Sequence, residues 1–337
     1  MEPQLPERRT EERHLSDPAE FHQEIAPSAR PVIMRGLVAD WPSVQAGLRA
    51  PDALADHLMS FDAGLTVPTI VASPETRGRF FYNADLTGPN FRTVAGTITG
   101  VMRTLLNSQG TASPPAIAMQ SLPEPTNLPG FARVNPNPLL AADIAPRLWI
   151  GNRATVQTHH DLQDNLACVV GGRRRFILFP PDQTANLYIG PLEKTPAGPP
   201  ISMVQLASPD IERHPRFQDA WAAAEVAELE PGDALFIPYM WWHHVEALDG
   251  FSVLANYWWN AAAHHRPKDA MVHAMMEIRD LPQPQREAWR AMFDAFVFDA
   301  GAEPGDHLPA VARGVKGRLS EEGRRHYRRM LAQALAD

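Results

Sequence analysis

The chain has 337 residues, with 39 Asp plus Glu against 31 Lys plus Arg and a formal net charge of −8. At roughly 100–200 residues per domain, this allows one large domain or two modest ones, able to bury a core without disulfide staples. The acidic surplus argues against a nucleic-acid scaffold, and the single cysteine, Cys168, excludes an internal disulfide and any paired-cysteine zinc site.

The first residues stay polar and charged through Arg13 and lack the basic start and apolar run of a secretory signal. No apolar run approaches the roughly 18 residues of a membrane-spanning helix. A cytoplasmic protein with no membrane span is the expectation. Three zones are expected: an N-terminal arm over 1–30, a main domain over 31–260 and a helical extension over 261–337.

In the arm, Asp17 before Pro18 reads as a helix cap with proline in the first turn, so the arm is either loose or a first helix. Arg30–Val38 then predicts a short strand closed by Gly36. Asp40-Trp41-Pro42 opens a helical stretch to Leu58, Phe80–Tyr82 predicts a strand, and about Thr93 to Leu106 predicts a helix. This is an α/β preface. From about Pro115 to Trp259 short apolar runs alternate with Pro and Gly: Ala116–Met119, Leu148–Ile150, Leu166–Val170, Phe176–Phe179, Ala234–Ile237 and Ser252–Trp258. That texture predicts a barrel or jelly roll. Cys168 falls inside one such run and reads as a small buried hydrophobe. After about Ala261 helical spacing returns, at His273–Ile278, at Glu287–Phe293 and from Ser320, a cap followed by acids, to Leu335. The arginines at 324, 325, 328 and 329 read as a solvated helix face.

The chemistry-bearing segment is Thr158-His159-His160-Asp161. On a strand, residues two apart face the same side, so His159 and Asp161 converge while His160 turns away. A histidine pair, His243-His244, follows the strand after Pro231-Gly232-Asp233, 82 residues beyond Asp161 (243 minus 161). Either could add a third ligand, delivered by the fold. Two histidines and one carboxylate leave metal positions open, the ligand set of non-haem iron(II) oxygenases. His-x-Asp alone also occurs by chance among the 13 histidines of the chain.

The wording around these residues resembles the jumonji-C hydroxylases of the cupin-like group. The matching stretches are Leu148–Gly151, His159–Asp161, Asn165, Gly172–Pro181, Pro231–Pro238, Trp241–His244 and Asn256–Trp258, with Pro31–Gly36 and Asp40–Pro42 as an N-terminal signature. The resemblance covers roughly residues 25 to 260 and is similar to the asparaginyl-hydroxylase-like branch. It implies a mainly β fold with α: a double-stranded β-helix core carrying the metal inside one end, with the α/β preface and C-terminal helices around it. It also implies Fe(II) bound by His159, Asp161 and His243, leaving His244 either to support those ligands or to play a structural role. 2-Oxoglutarate is implied as the co-substrate, its far carboxylate on Arg174, where many relatives carry lysine, with Asn165 and Asn256 hydrogen-bonding it. Trp258 matches a packing position.

Two departures stand out. Where relatives place threonine three residues before the first ligand histidine, this chain has Val156, and the stretch Ala116–Gln120 lacks the tyrosine that some relatives use. The reaction implied is hydroxylation of a protein side chain or small molecule, coupled to decarboxylation of 2-oxoglutarate to succinate. A non-catalytic cupin-like module, and a cupin metalloenzyme without 2-oxoglutarate, are the alternatives. The Pro- and Gly-rich loop Tyr188–Gln205 is a candidate for the substrate mouth or an ordinary surface insertion. Trp289, Met292, Phe293, Phe296 and Phe298 offer a face for a homodimer, as in relatives with a helical extension, or for packing on the chain's own barrel.

Overall fold

The computed structural model describes residues 5–193, 195–196, 198–260, 262, 264–298 and 304–335. The short apolar runs pair as strands. Chain order gives β1 (Arg8–Arg9), β2 (Glu11–Arg13), β3 (Val32–Met34), β4 (Thr66–Ala72), β5 (Arg79–Phe80), β6 (Arg92–Thr97), β7 (Ala116–Pro123) and β8 (Arg147–Gly151). There follow β9 (Thr155–His160), β10 (Asp164–Gly171), β11 (Arg174–Phe179), β12 (Glu225–Leu229), β13 (Ala234–Ile237), β14 (Trp242–Ala247) and β15 (Ser252–Trp259). Sheet one runs β1-β12-β11-β14-β9-β5; sheet two runs β2-β3-β13-β10-β15-β8-β7-β4-β6. The result is a mixed α/β fold with extensive sheets, consistent with a cupin-like core.

The inner faces of the sheets share one buried cluster, in which Phe176, Leu178 and Val245 of sheet one meet Ala167, Leu235, Ile237 and Leu254 of sheet two. The outer faces are covered too. Helices α1 (Pro42–Arg49), α2 (Pro51–Met59) and α3 (Ile98–Asn107) press Val44, Leu54, Leu58 and Met102 onto Leu166, Cys168 and Val170. Helix α4 (Phe217–Ala223) lays Phe217 and Ala220 on Ile177, Phe179 and Trp242. Central strands buried on both faces read as continuous apolar runs, which is why Leu166–Val170 shows no alternation. Full burial of a side chain such as Phe179 or Phe236 contributes roughly 1.5–3 kcal/mol. Burial pushes the Cys168 thiol up, away from thiolate chemistry.

Two local expectations are revised, and one strand is new. Residues 8–13 are no loose arm: β1 pairs with β12 and β2 with β3, so this segment edges both sheets before Asp17 accepts from Ala19 N at 2.8 Å to start the first helical turns. The helix expected from Thr93 begins at Ile98; Arg92–Thr97, with β-branched Thr93, Val94 and Thr97, pairs with β4 instead, and Thr97 caps α3. Strand β4 itself gave no sequence signal because Pro68 interrupts it. The proline is tolerated where β6 pairs with it but β7 does not reach, since β7 pairs only from Ile70 onward.

The turn from β10 to β11 depends on Gly172, whose φ is +69°. A Cβ there would stand 2.5 Å from the Phe251 carbonyl oxygen. Gly172→Ala is expected to lose about 2 kcal/mol or more of stability from left-handed strain plus the clash, read as a lower urea midpoint at unchanged slope.

The chain divides into two compact units, Met1–Asn260 and Ala261–Asp337. In the second, helices α5 (Pro267–Glu277), α6 (Gln283–Phe293) and α7 (Glu321–Ala334) contain no buried residue. Ser320 caps α7, accepting from Gly323 N at 3.1 Å. Among the described residues no helix is long and apolar enough to cross a membrane.

Candidate metal centre

Strands β9 and β14 lie side by side in sheet one with His159 directly opposite His243. Opposed residues of an antiparallel pair share a face, so the two imidazoles meet, with ring centroids 4.2 Å apart. Asp161 follows β9 and brings Oδ2 to 3.7 Å from His243 Nε2. One ligand atom from each of the three residues falls within 4.8 Å of the other two. His160 turns to the other face, edge-on to Trp242 at 4.5 Å, and His244 lies near Thr158 and Glu246. A bulge precedes His159: the register passes from His243↔His159 to Val245↔Val156, two residues on β14 against three on β9. The extra residue sets Val156 on the inner face with His159, although the two are three positions apart.

Backbone carbonyls fix the imidazole tautomers. His159 Nδ1 lies 2.8 Å from the Gln157 carbonyl and His243 Nδ1 lies 3.1 Å from that of Trp241. A carbonyl can only accept, so both Nδ1 atoms carry hydrogen, and in the neutral ring this leaves the Nε2 lone pair to face a metal. At His243 the electrostatics support this. Burial drives His243 well below the usual imidazole range, reinforced by His159. Burial also raises the Asp161 carboxyl, against the pull of His159, Asn165 and Trp258. A divalent cation bound between the three side chains would favour the carboxylate here and would take both imidazoles as neutral ligands.

The polar neighbours form a relay. Asn165 Nδ2 approaches Asp161 Oδ2 at 3.4 Å, and Asn165 Oδ1 accepts from Asn256 Nδ2 at 2.7 Å. Asn256 Oδ1 is buried without a partner. The Trp258 indole N–H is close enough to favour the Asp161 carboxylate yet falls short of hydrogen-bonding geometry.

The three successive arginines separate by face. Arg173 pairs with Asp249 at 2.9 Å, and Arg175 with Glu228 at 2.8 Å and Glu246 at 3.2 Å. Arg174, between them, shares the face of Phe176 and Leu178, is 8 % exposed and leaves Nε without a partner. Burial pulls its guanidinium down to about 10. A desolvated cation with no counter-charge among the described residues suits an anionic ligand, and the far carboxylate of 2-oxoglutarate fits that need.

The Tyr188–Gln205 loop, of which residues 194 and 197 lie outside the described residues, returns against β9. Ile201 bridges to His159, and Ser202 N donates to the Thr158 carbonyl at 2.8 Å. It therefore borders the strand carrying His159. Two inward residues of β8, Arg147 and Trp149, were not singled out as site residues. The Arg-x-Trp alternation placing both on one face was the available signal.

Comparison with known proteins agrees with this arrangement. The family model described as a cupin-like domain matches residues 18–265. Human HSPB1-associated protein 1 is 35 % identical over 150 residues, covering 42 % of this chain and 30 % of the relative. Lysine-specific demethylase JMJ31 of Arabidopsis thaliana is 34 % identical over 114 residues, 34 % of this chain and 20 % of the relative. tRNA wybutosine-synthesizing protein 5 of Danio rerio is 34 % identical over 113 residues, 34 % of this chain and 30 % of the relative. The matched region thus spans between a fifth and a third of the length of these curated relatives.

Proposed function

This chain belongs to the cupin-like domain family, and on that premise we propose that it is an iron(II)- and 2-oxoglutarate-dependent oxygenase. The observation that carries this reading is the convergence of His159, Asp161 and His243, with both Nε2 atoms freed by backbone carbonyls. When bound, iron(II) and 2-oxoglutarate supply the oxidising power to hydroxylate a substrate C–H bond with O2, while the co-substrate leaves as succinate and carbon dioxide. The chain's own residues hold and orient. His159, Asp161 and His243 hold the metal on one face and leave its other positions open. Asn165 steadies the Asp161 carboxylate, and Asn256, with its spare Oδ1, positions Asn165. Arg174 grips the far carboxylate of the co-substrate, and the apolar surround of Val156, Phe176 and Val245 keeps water from that pair.

We read the two sheets as the halves of a double-stranded β-helix, residues 31–260 as the catalytic domain and 261–337 as an accessory helical extension. The wording around the triad favours the asparaginyl-hydroxylase-like branch. The relatives' names speak of lysine demethylation in one and wybutosine synthesis on tRNA in another, so the shared domain does not bring a substrate with it.

Succinate formation from 2-oxoglutarate with iron(II), ascorbate and oxygen tests the reading. Slow turnover without added substrate is expected. Failure to bind both iron(II) and 2-oxoglutarate anaerobically would transfer the assignment to a non-catalytic cupin-like module.

The extension is the proposed homodimer contact. Trp289, Met292 and Phe296 are at least 40 % exposed, and Trp289 lines a groove between α5 and α6 with Met271, Met275, Ile278 and Phe293. Exposed apolar area of this kind marks an interaction site. Light scattering at micromolar concentration is expected to report a dimer for the wild type and a monomer for Trp289→Arg with Phe293→Arg; a wild-type monomer rejects the contact.

A further inference from the structure

The inner face of sheet two carries a second cation with no carboxylate beside it among the described residues. Arg147 opens β8 and lies opposite Asn256 of β15. Opposed residues share a face, and Trp149, two residues on, packs into the cluster between the sheets, so alternation turns Arg147 inward. Asn256 is bonded to Asn165, which reaches Asp161. Arg147 therefore stands on the metal's side of the sheet, half-buried, one strand beyond the asparagine relay.

Its surroundings are polar only in part. Nη1 donates to the carbonyl and the hydroxyl of Ser121, both at 3.0 Å. Ser121 sits at the bulge of β7 with φ +56°, a bent backbone that presents both oxygens to the guanidinium. The guanidinium carbon lies 5.9 Å from the centroid of the Trp258 ring, and Trp258 meets Trp149 edge-on at 6.0 Å. The Trp149 indole N–H is buried with no acceptor. No acidic side chain pairs with Arg147 among the described residues.

Two inward guanidiniums, Arg174 and Arg147, thus lack a counter-charge, while 2-oxoglutarate brings one far carboxylate. Arg174 is the more deeply buried and is the one assigned to it. The remaining N–H groups of Arg147, the Trp149 N–H and the parts of the two half-buried indoles outside these contacts are left for a ligand. A cationic substrate group would be repelled here. A neutral one would leave a partly desolvated guanidinium unpaired.

We infer that Arg147, Trp149 and Trp258 form the primary-substrate subsite, and that the substrate carries a carboxylate joined to an apolar body, the carboxylate on Arg147 and the body against the indoles. This rests on the oxygenase reading and names its substrate class. The carboxylate could belong to a small organic acid or to an acidic residue in a peptide.

Binding is measured anaerobically with iron(II) and 2-oxoglutarate saturating, by tryptophan fluorescence. Two matched probe sets are used: arylalkanoic acids against their primary amides, and leucine-flanked Asp peptides against the same peptides with Asn. In the wild type the acids of one set are expected to bind about tenfold or more tighter than the amides, a preference of ~1.4 kcal/mol or more. The set that discriminates identifies the source of the carboxylate. Arg147→Gln is expected to level acid and amide, Arg147→Lys to keep part of the preference, and Trp149→Leu to weaken both members together. Equal binding of acid and amide by the wild type, a preference that survives Arg147→Gln, or no binding of either set overturns the subsite. If the wild type binds neither iron(II) nor 2-oxoglutarate, the oxygenase reading has failed, and the acid-over-amide comparison on the metal-free protein then decides the subsite separately.

Discussion

Asp161→Ala is expected to abolish iron(II) binding and to lower succinate formation from 2-oxoglutarate by more than about a thousandfold. The carboxylate is the one anionic donor of the cluster; His159 and His243 face it as imidazoles whose Nδ1 hydrogens are committed to backbone carbonyls. Two neutral nitrogens on adjacent strands hold a hard divalent ion weakly and do not set which positions stay open. The variant should nonetheless fold. Burial raises the Asp161 carboxyl in the metal-free protein, which marks the site as costly for a charge, so removing it relieves the fold. The informative pair of measurements is anaerobic calorimetry with iron(II) and a melting curve without metal. Lost binding with an undiminished Tm supports the triad, whereas turnover within tenfold of wild type would place the metal elsewhere.

The second large effect is at Arg174. Arg174→Gln is expected to raise KM for 2-oxoglutarate on the order of a hundredfold, within the ~2–5 kcal/mol cost of truncating one partner of a buried charge pair. The remote carboxylate is held equally before and during reaction, so kcat should change far less than KM. Arg174→Lys should fall between, keeping the charge but losing the planar fork. Stability should move the opposite way to affinity. Arg174 is buried with Nε unpaired and no anion beside it among the described residues, so Arg174→Met is expected to raise the Tm of the ligand-free protein. Added 2-oxoglutarate should then raise the Tm of the wild type and leave that of the variant where it was. An unchanged KM in Arg174→Gln would assign the far carboxylate to another cation, Arg147 being the nearest alternative in kind.

Much of the site was readable from local order alone. The spacing of His159 and Asp161 predicts a shared face, the same parity sends His160 away, and the structure places His160 against Trp242 and His159 against His243. Parity likewise turned Arg174 inward with Phe176 and Leu178. The apolar runs from Leu148 to Trp258 all fall within strands, because strands buried on both faces need continuous apolar sequence. Helix starts were legible where a side chain caps its own backbone, at Asp17 and Ser320.

What stayed hidden was set by hydrogen bonds between distant segments. Periodicity could not choose between His243 and His244; the resemblance pointed to His243, and the register of β14 on β9 sets it opposite His159. The bulge that turns Val156 inward is one extra residue in β9, visible only against its partner strand. Thr93–Thr97 had helical spacing but joined β4, whose own signal Pro68 had masked, and residues 8–13 became edge strands because β3 and β12 offered open edges. A sequence states which face a side chain takes within its own strand. Which strand lies beside it, and at what register, is decided by long-range pairing, and that is what brought His243 to Asp161 and Arg147 to the relay of Asn256 and Asn165.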